Sequence, residues 1–114
     1  MLSLALASLL TLSTVNIEVF RYPDQTAEVQ QAVVIDLNVQ MGNGTTWKFK
    51  KIGDKSVAIL WGTADMPCRE PKPGCISVQK FVFKALHTGK TQAMLELVKG
   101  TRVYQRVYVD IVVQ

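Results

Sequence analysis

The sequence predicts an all-β chain folded as an antiparallel β-sandwich of about seven or eight strands. Three observations carry this. Apolar and polar residues alternate with period two along most of the chain, as half-buried strands require. Turn signals built from Gly, Pro, Asn and Asp recur roughly every eight to twelve residues. No segment sustains the 3.6-residue period of an amphipathic helix. A sandwich is favoured over a small barrel because most strands are apolar on one face only.

In order along the chain, Val15 to Tyr22 reads as a first strand, closed by Pro23-Asp24. The run from Val33 to Met41 places Val33, Ile35, Leu37, Val39 and Met41 on one face, with Asp36, Asn38 and Gln40 on the other. Thr46 to Lys51 alternates Trp47 and Phe49 with Lys48 and Lys50. Gly53-Asp54 is a turn signal, and Ser56 to Gly62 holds a short, nearly continuous apolar run. Ser77 to Leu86 sets Phe81, Phe83 and Ala85 opposite Lys80 and Lys84. His87 to Lys90 reads as a turn. Ala93, Leu95 and Leu97 then face one way, with Gln92 and Glu96 opposite, before a turn at Lys99-Gly100-Thr101. The last strand points Val103, Val107, Val109, Ile111 and Val113 inward and Arg106 and Asp110 outward. An immunoglobulin-like core holds a tryptophan, for which Trp47 and Trp61 are the candidates.

With 114 residues, 48% of them hydrophobic and 19% charged, the chain is long enough for one core and too apolar to be disordered. The net charge of +4 is unevenly spread. Residues 1–47 carry one basic residue against four acids, and residues 48–114 carry twelve against five. A solvated basic sheet face accounts for this, and steering toward an acidic partner is the alternative.

Residues 1–14 are expected to be a signal peptide or an extra N-terminal segment, and residues 15–114 a single sandwich domain. Met1 to Leu12 is almost wholly apolar. It is too short to cross a bilayer, which takes about 20 residues, so no membrane span is expected. It suits a secretory h-region, and Ala5-Leu6-Ala7 is a small-x-small pattern, but no Lys or Arg precedes Arg21. Cys68 and Cys75 enclose Arg69, Glu70, Pro71, Lys72, Pro73 and Gly74. Two prolines and a glycine exclude helix and central strand, so this is a projecting loop. A disulfide across it would stiffen the loop and suit an oxidising compartment, whether secreted, periplasmic or endosomal. Two unpaired thiols in a reducing compartment are the alternative.

Catalysis and cofactors find little support. The single histidine, His87, stands in a turn, and no nucleophile motif surrounds any serine or cysteine. One His and two Cys fall short of a structural zinc site, so no metal is expected. Lys48, Lys50 and Lys51 cluster around Phe49. Single-strand nucleic-acid binding needs exposed aromatics, whereas Phe49, Phe81 and Phe83 fall on the inward face, so no nucleic acid is expected.

What remains is loops. Those at Asn43, Pro71 and Lys99 each follow a strand running the same way, which gathers them at one end of an antiparallel sandwich. Asn43-Gly44-Thr45-Thr46-Trp47-Lys48-Phe49 resembles the first inhibitory loop of the chagasin-like inhibitors of papain-type cysteine proteases, Asn-Pro-Thr-Thr-Gly followed by an aromatic and Trp. Pro73-Gly74-Cys75, leading into Gln79 to Ala85 and on to Ala93-Met94-Leu95-Glu96-Leu97, is similar to that family's glycine-rich second loop and the strands after it. Where the family's third loop begins Arg-Pro-Trp, this chain has Val98-Lys99-Gly100.

The resemblance spans roughly residues 15–114 and implies an immunoglobulin-like sandwich. It further implies a monomeric, cofactor-free, non-enzymatic inhibitor that plugs the cleft of a papain-like cysteine protease reversibly and without covalent chemistry. The first loop would be Asn43, Gly44, Thr45, Thr46 and Trp47. The second would be Arg69 to Gly74, and the third Lys99, Gly100 and Thr101. A secreted adhesion or assembly module of the same fold is the alternative. Asn43-Gly44-Thr45 is also a glycosylation sequon, and a glycan there would block docking.

Overall fold

Eight strands and no helix make up the regular structure of the described residues. The structure, a computed structural model, describes residues 16–70 and 72–114. The expectation for residues 1–14 and the placement of Pro71 lie outside them. The strands are β1 (Glu18–Arg21), β2 (Gln25–Ala27), β3 (Ala32–Gln40), β4 (Thr46–Ile52), β5 (Ala58–Met66), β6 (Ile76–Ala85), β7 (Gly89–Lys99) and β8 (Arg102–Val113). One sheet has the order β1-β8-β7-β4, with β2 also on β8, and the other is β3-β6-β5. Their inner faces form a sandwich consistent with the immunoglobulin-like expectation.

The period-two pattern does what elementary physics asks of it. Along β3, Val33, Ile35, Leu37 and Val39 are buried, and every residue between them is exposed. They meet Phe81, Phe83 and Ala85 of β6 and Ala93, Leu95, Val107, Val109, Ile111 and Val113 of β7 and β8 in one core. Each such aliphatic or phenyl side chain contributes about 1.5–3 kcal/mol by leaving water. Phe49 packs edge-on against Phe83, ring centroids 5.7 Å apart. Of the two candidate tryptophans, Trp47 is in the core at 6% exposure and Trp61 lies outside at 63%. Trp61 occupies a bulge between Leu60 and Gly62, where Lys84 Nζ sits 4.7 Å from its ring centroid.

Four details depart from expectation. The first strand is two, β1 and β2, and both pair with β8 in parallel. Pro23 has no N–H for the ladder, so one edge strand is split into two short ones. The fifth strand runs from Ala58 to Met66 rather than from Ser56 to Gly62, because its pairing with β6 continues to Met66 opposite Val78. Only its start is buried, so the later residues carry no apolar signal. The expected turn at His87–Lys90 is shorter, since Gly89 already pairs with Val113. Gly89 takes φ 153°, and a Cβ there would lie 2.9 Å from Val57 Cγ2, so only glycine fits.

Side chains close the sandwich along the open edge of β3. The Asp36 N–H donates to the Tyr22 hydroxyl at 3.3 Å, and the Trp47 indole N–H donates to Asn38 O at 2.9 Å. The outer face of the larger sheet carries a polar network. Arg106 donates to Glu96 Oε2 through Nε (3.0 Å) and Nη2 (2.7 Å). The Gln92 amide donates to Asp110 Oδ1 at 2.8 Å, and Arg21 Nη1 to Oδ2 at 2.7 Å. These two partners hold the Asp110 carboxyl below the ordinary carboxylate range, the Gln92 hydrogen bond most strongly.

Candidate functional site

β3 and β5 both run antiparallel to β6, so the β3–β4 and β5–β6 loops leave the small sheet at the same end. The β7–β8 hairpin reaches that end from the other sheet. Backbone and side chains join all three. Met41 N–H donates to Cys75 O at 2.8 Å, linking the first loop to the second. The stem of Lys99 lies 3.3 Å from where a Cβ on Gly44 would stand, linking the first loop to the third.

The first loop is shaped by two glycines and one asparagine. Gly42 has φ 91° and Gly44 has φ 79°, values that L-residues avoid. Between them, the Asn43 side-chain carbonyl accepts from Thr45 N–H at 3.0 Å and from the Thr45 hydroxyl at 2.6 Å. This is an Asx turn, in which a side chain stands in for a backbone acceptor. Asn43 and Gly44 are exposed, and Thr45 and Thr46 are half-buried. Trp47 corrects the expectation that it is part of the loop's contact surface. Strand parity turns it into the core, where it anchors the base of the loop rather than facing a partner.

The second loop is closed by a Cys68–Cys75 disulfide, and its cysteine Cα atoms are 6.2 Å apart. No cysteine is free, so of the two readings the bridged one holds. Arg69, Glu70, Lys72, Pro73 and Gly74 are exposed, and Cys75 N–H donates to Lys72 O at 3.1 Å. Gly74 takes φ 81°. The third segment is a tight hairpin. Lys99 pairs with Arg102, leaving Gly100 and Thr101 as a two-residue turn. Gly100 has φ 61° and Thr101 no positive φ, the pattern of a type II′ turn.

Between the first two loops lies an open cleft of about 280 Å³, lined by Val39, Met41, Thr45, Asp65, Met66 and Pro67 among others. Met41 and Met66 are 46% and 51% exposed at its rim. Sequence reading missed both, because Met66 belongs to the unrecognised end of β5 and the strand pattern assigns Met41 inward. It also missed Gln79. This residue shares the inward parity of Phe81 and Phe83, and a polar residue at such a position was the available signal. Its Oε1 accepts from Trp47 N–H at 2.7 Å. Its Nε2 donates to Thr46 Oγ1 at 3.1 Å and, more weakly, to Asp65 Oδ1 at 3.4 Å.

Among the described residues, no group of three His, Cys, Asp or Glu side chains could hold a metal ion. His87 is exposed on the loop before β7, with its Nδ1 2.9 Å from Leu86 O. No helix of the described residues is long and apolar enough to cross a membrane.

No protein-family model and no curated protein matches the chain. Solved structures do. The cysteine protease inhibitor EhICP2 from Entamoeba histolytica aligns over 86% of this chain and 96% of its own, with a TM-score of 0.63 and 16% identity. PbICP-C, solved in complex with falcipain-2, aligns over 89% of this chain and 96% of its own, with a TM-score of 0.64 and 15% identity. At such identities the likeness is one of fold, and the chain shares the sandwich of these inhibitors along nearly its whole described length.

Proposed function

We propose that this chain is a reversible, non-covalent inhibitor of papain-like cysteine proteases, and not an enzyme. Its three-loop end would enter the active-site cleft. The single observation that carries the reading is the joining of these loops at one end of a sandwich shared with two cysteine protease inhibitors. The first loop presents Asn43, Gly44, Thr45 and Thr46 over the catalytic cysteine, where small side chains let backbone approach closely. The disulfide-closed second loop (Arg69 to Gly74) and the Lys99-Gly100-Thr101 hairpin flank it. The Asx turn, the bridge and the two-residue hairpin restrict the loops before docking, which lowers the entropy lost on binding. No tryptophan stands at the loop end as an anchor, since Trp47 is buried and Trp61, though exposed, lies at the bulge within β5. Met41 and Met66 supply apolar surface instead, and thioether side chains adapt to irregular cleft walls.

The partner acts with a monomer. Lys48, Lys50 and Lys51 line the β4 edge and the bulge at Trp61 interrupts β5, and both features discourage edge-to-edge pairing. The disulfide suits a secreted, periplasmic or endosomal setting.

Inhibition titrations against papain and a cathepsin L-type protease test the reading. Submicromolar inhibition is expected, and Thr45→Arg with Thr46→Arg should weaken it by about tenfold or more, equivalent to about 1.4 kcal/mol. No inhibition at high micromolar concentration would refute it. A second reading, a non-inhibitory adhesion or assembly module, is favoured by one observation: the third segment is only a two-residue turn with no aromatic. A non-protease partner captured through the loop end would support that reading.

A further inference from the structure

We infer that Gln79 is the positioning residue that sets the exit of the first loop and couples it to the second. The inference rests on the inhibitory reading for its functional consequence, but not for its structural content. β4 is an edge strand of the larger sheet, paired only with β7. Trp47 N–H points away from that partner and, without another acceptor, would be left unpaired beside the core. Gln79, on β6 of the opposite sheet, supplies the acceptor at 2.7 Å. The amide orientation follows from this bond: a backbone N–H can only donate, so Oε1 must face Trp47 and Nε2 must face Thr46 and Asp65. One side chain therefore does for the start of β4 what a neighbouring strand would do.

Two chains of bonds radiate from that amide. One runs through Thr46 and Trp47 to Thr45, which Asn43 holds in its Asx turn. The other runs to Asp65, which pairs with Gln79 across β5 and β6 and stands three residues before Cys68. The C-terminal half of the first loop and the entry to the second are thus held by the same group. Gln79 lines the floor of the cleft between them together with Thr45, Thr46 and Asp65. It acts through the loops and not by touching a protease.

Three variants test this: Gln79→Leu, Gln79→Glu and the double exchange Gln79→Glu with Asp65→Asn. The readouts are amide hydrogen exchange by NMR and the inhibition constant against papain. Gln79→Leu should speed exchange of Trp47 N–H by about tenfold or more and weaken inhibition by a similar factor. Gln79→Glu keeps an acceptor for Trp47, so that amide should stay protected. It replaces the donor to Asp65 with a second carboxylate, so the Met66 and Cys68 amides should exchange faster and inhibition should fall. Adding Asp65→Asn restores a donor–acceptor pair with its direction reversed, and should recover both.

Unchanged Trp47 exchange in Gln79→Leu overturns the inference, as does failure of the double variant to restore the original exchange at Met66 and Cys68. If Gln79→Leu does not fold, the Gln79→Glu pair still decides it. If the unaltered protein inhibits no papain-like protease, the inhibitory reading fails, while the exchange measurements still settle whether Gln79 couples the loops.

Discussion

Trp47→Phe should destabilise the fold far more than Trp61→Phe, although composition treats the two tryptophans alike. Trp47 is 6% exposed, and its indole N–H donates to Asn38 O at 2.9 Å across the gap between the sheets. Phenylalanine keeps most of the ring volume but deletes that donor. Losing one such hydrogen bond costs about 1 kcal/mol. The missing part of the indole removes buried area equivalent to between one and two methylenes, about 1 kcal/mol more at ~0.8 kcal/mol each. The sum is about 2 kcal/mol, or a fall in Tm of about 8 °C for a chain of this size. Trp61 is 63% exposed, with only Lys84 Nζ over its ring. Its loss should cost about 0.5 kcal/mol at most.

Thermal unfolding followed by circular dichroism measures both. Fluorescence assigns the residues independently, because the chain has two tryptophans. Trp61→Phe leaves only the buried indole and should emit to the blue, shifting red on unfolding. Trp47→Phe leaves only the exposed one and should emit near the unfolded position throughout. The reasoning is refuted if Trp47→Phe lowers Tm by less than about 2 °C, or by no more than Trp61→Phe.

Replacing both cysteines by serine should cost about 2.5 kcal/mol on the loop-entropy estimate for so short a loop, read as a lower Tm, with faster exchange at Met41 N–H because its acceptor is Cys75 O. A Tm equal to that of the oxidised protein would show that the bridge constrains nothing. Asp110 sets a pH dependence. Its folded pKa lies below its ordinary value of 3.8, so the stability it contributes is present above that value and is lost as pH falls through the folded one. Asp110→Asn should therefore lower Tm at neutral pH and make the decline below about pH 4 shallower; an unchanged acid profile would contradict the assignment.

The strands that lie half in the core were legible because burial writes itself into alternate positions. β3 is the clearest case, with four buried aliphatics separated by exposed residues. The second half of β5 was not, because backbone pairing with β6 sustains it while its side chains remain in solvent. The parallel pairing of β1 and β2 was hidden for a related reason: alternation reports which face is buried, not the direction of the neighbour. The tryptophans could not be told apart because a bulge at Trp61 breaks the parity on which any inference about facing depends. At the candidate site, the loop segments were visible from glycine, proline and asparagine. Gln79 carried one local signal, a polar residue at an inward position of β6, but its role depends on an acceptor reaching a strand of the opposite sheet, and that relation is not written in the local sequence.

The departures from the inhibitors' loop pattern acquire a physical meaning once the backbone is known. Proline locks φ near −65°, whereas Gly44 sits at 79°. The first loop as it stands could not accept the proline of the Asn-Pro-Thr-Thr-Gly pattern without taking another path. The substitution is therefore not the loss of one contact from an otherwise equal loop. It goes with a different turn, in which the Asn43 side chain, rather than a proline ring, fixes the following residue through Thr45. The second loop is closed by its disulfide, and the Met41–Cys75 bond ties it to the first. The third segment is a hairpin turn with one basic stem, that of Lys99, lying against Gly44. On the proposed inhibitory reading, docking energy would come mainly from the first two loops and the methionine-rimmed cleft between them. Substitutions at Met41 or Met66 should consequently weaken a protease complex more than substitutions at Gly100 or Thr101, the reverse of what a tryptophan-bearing third loop would produce.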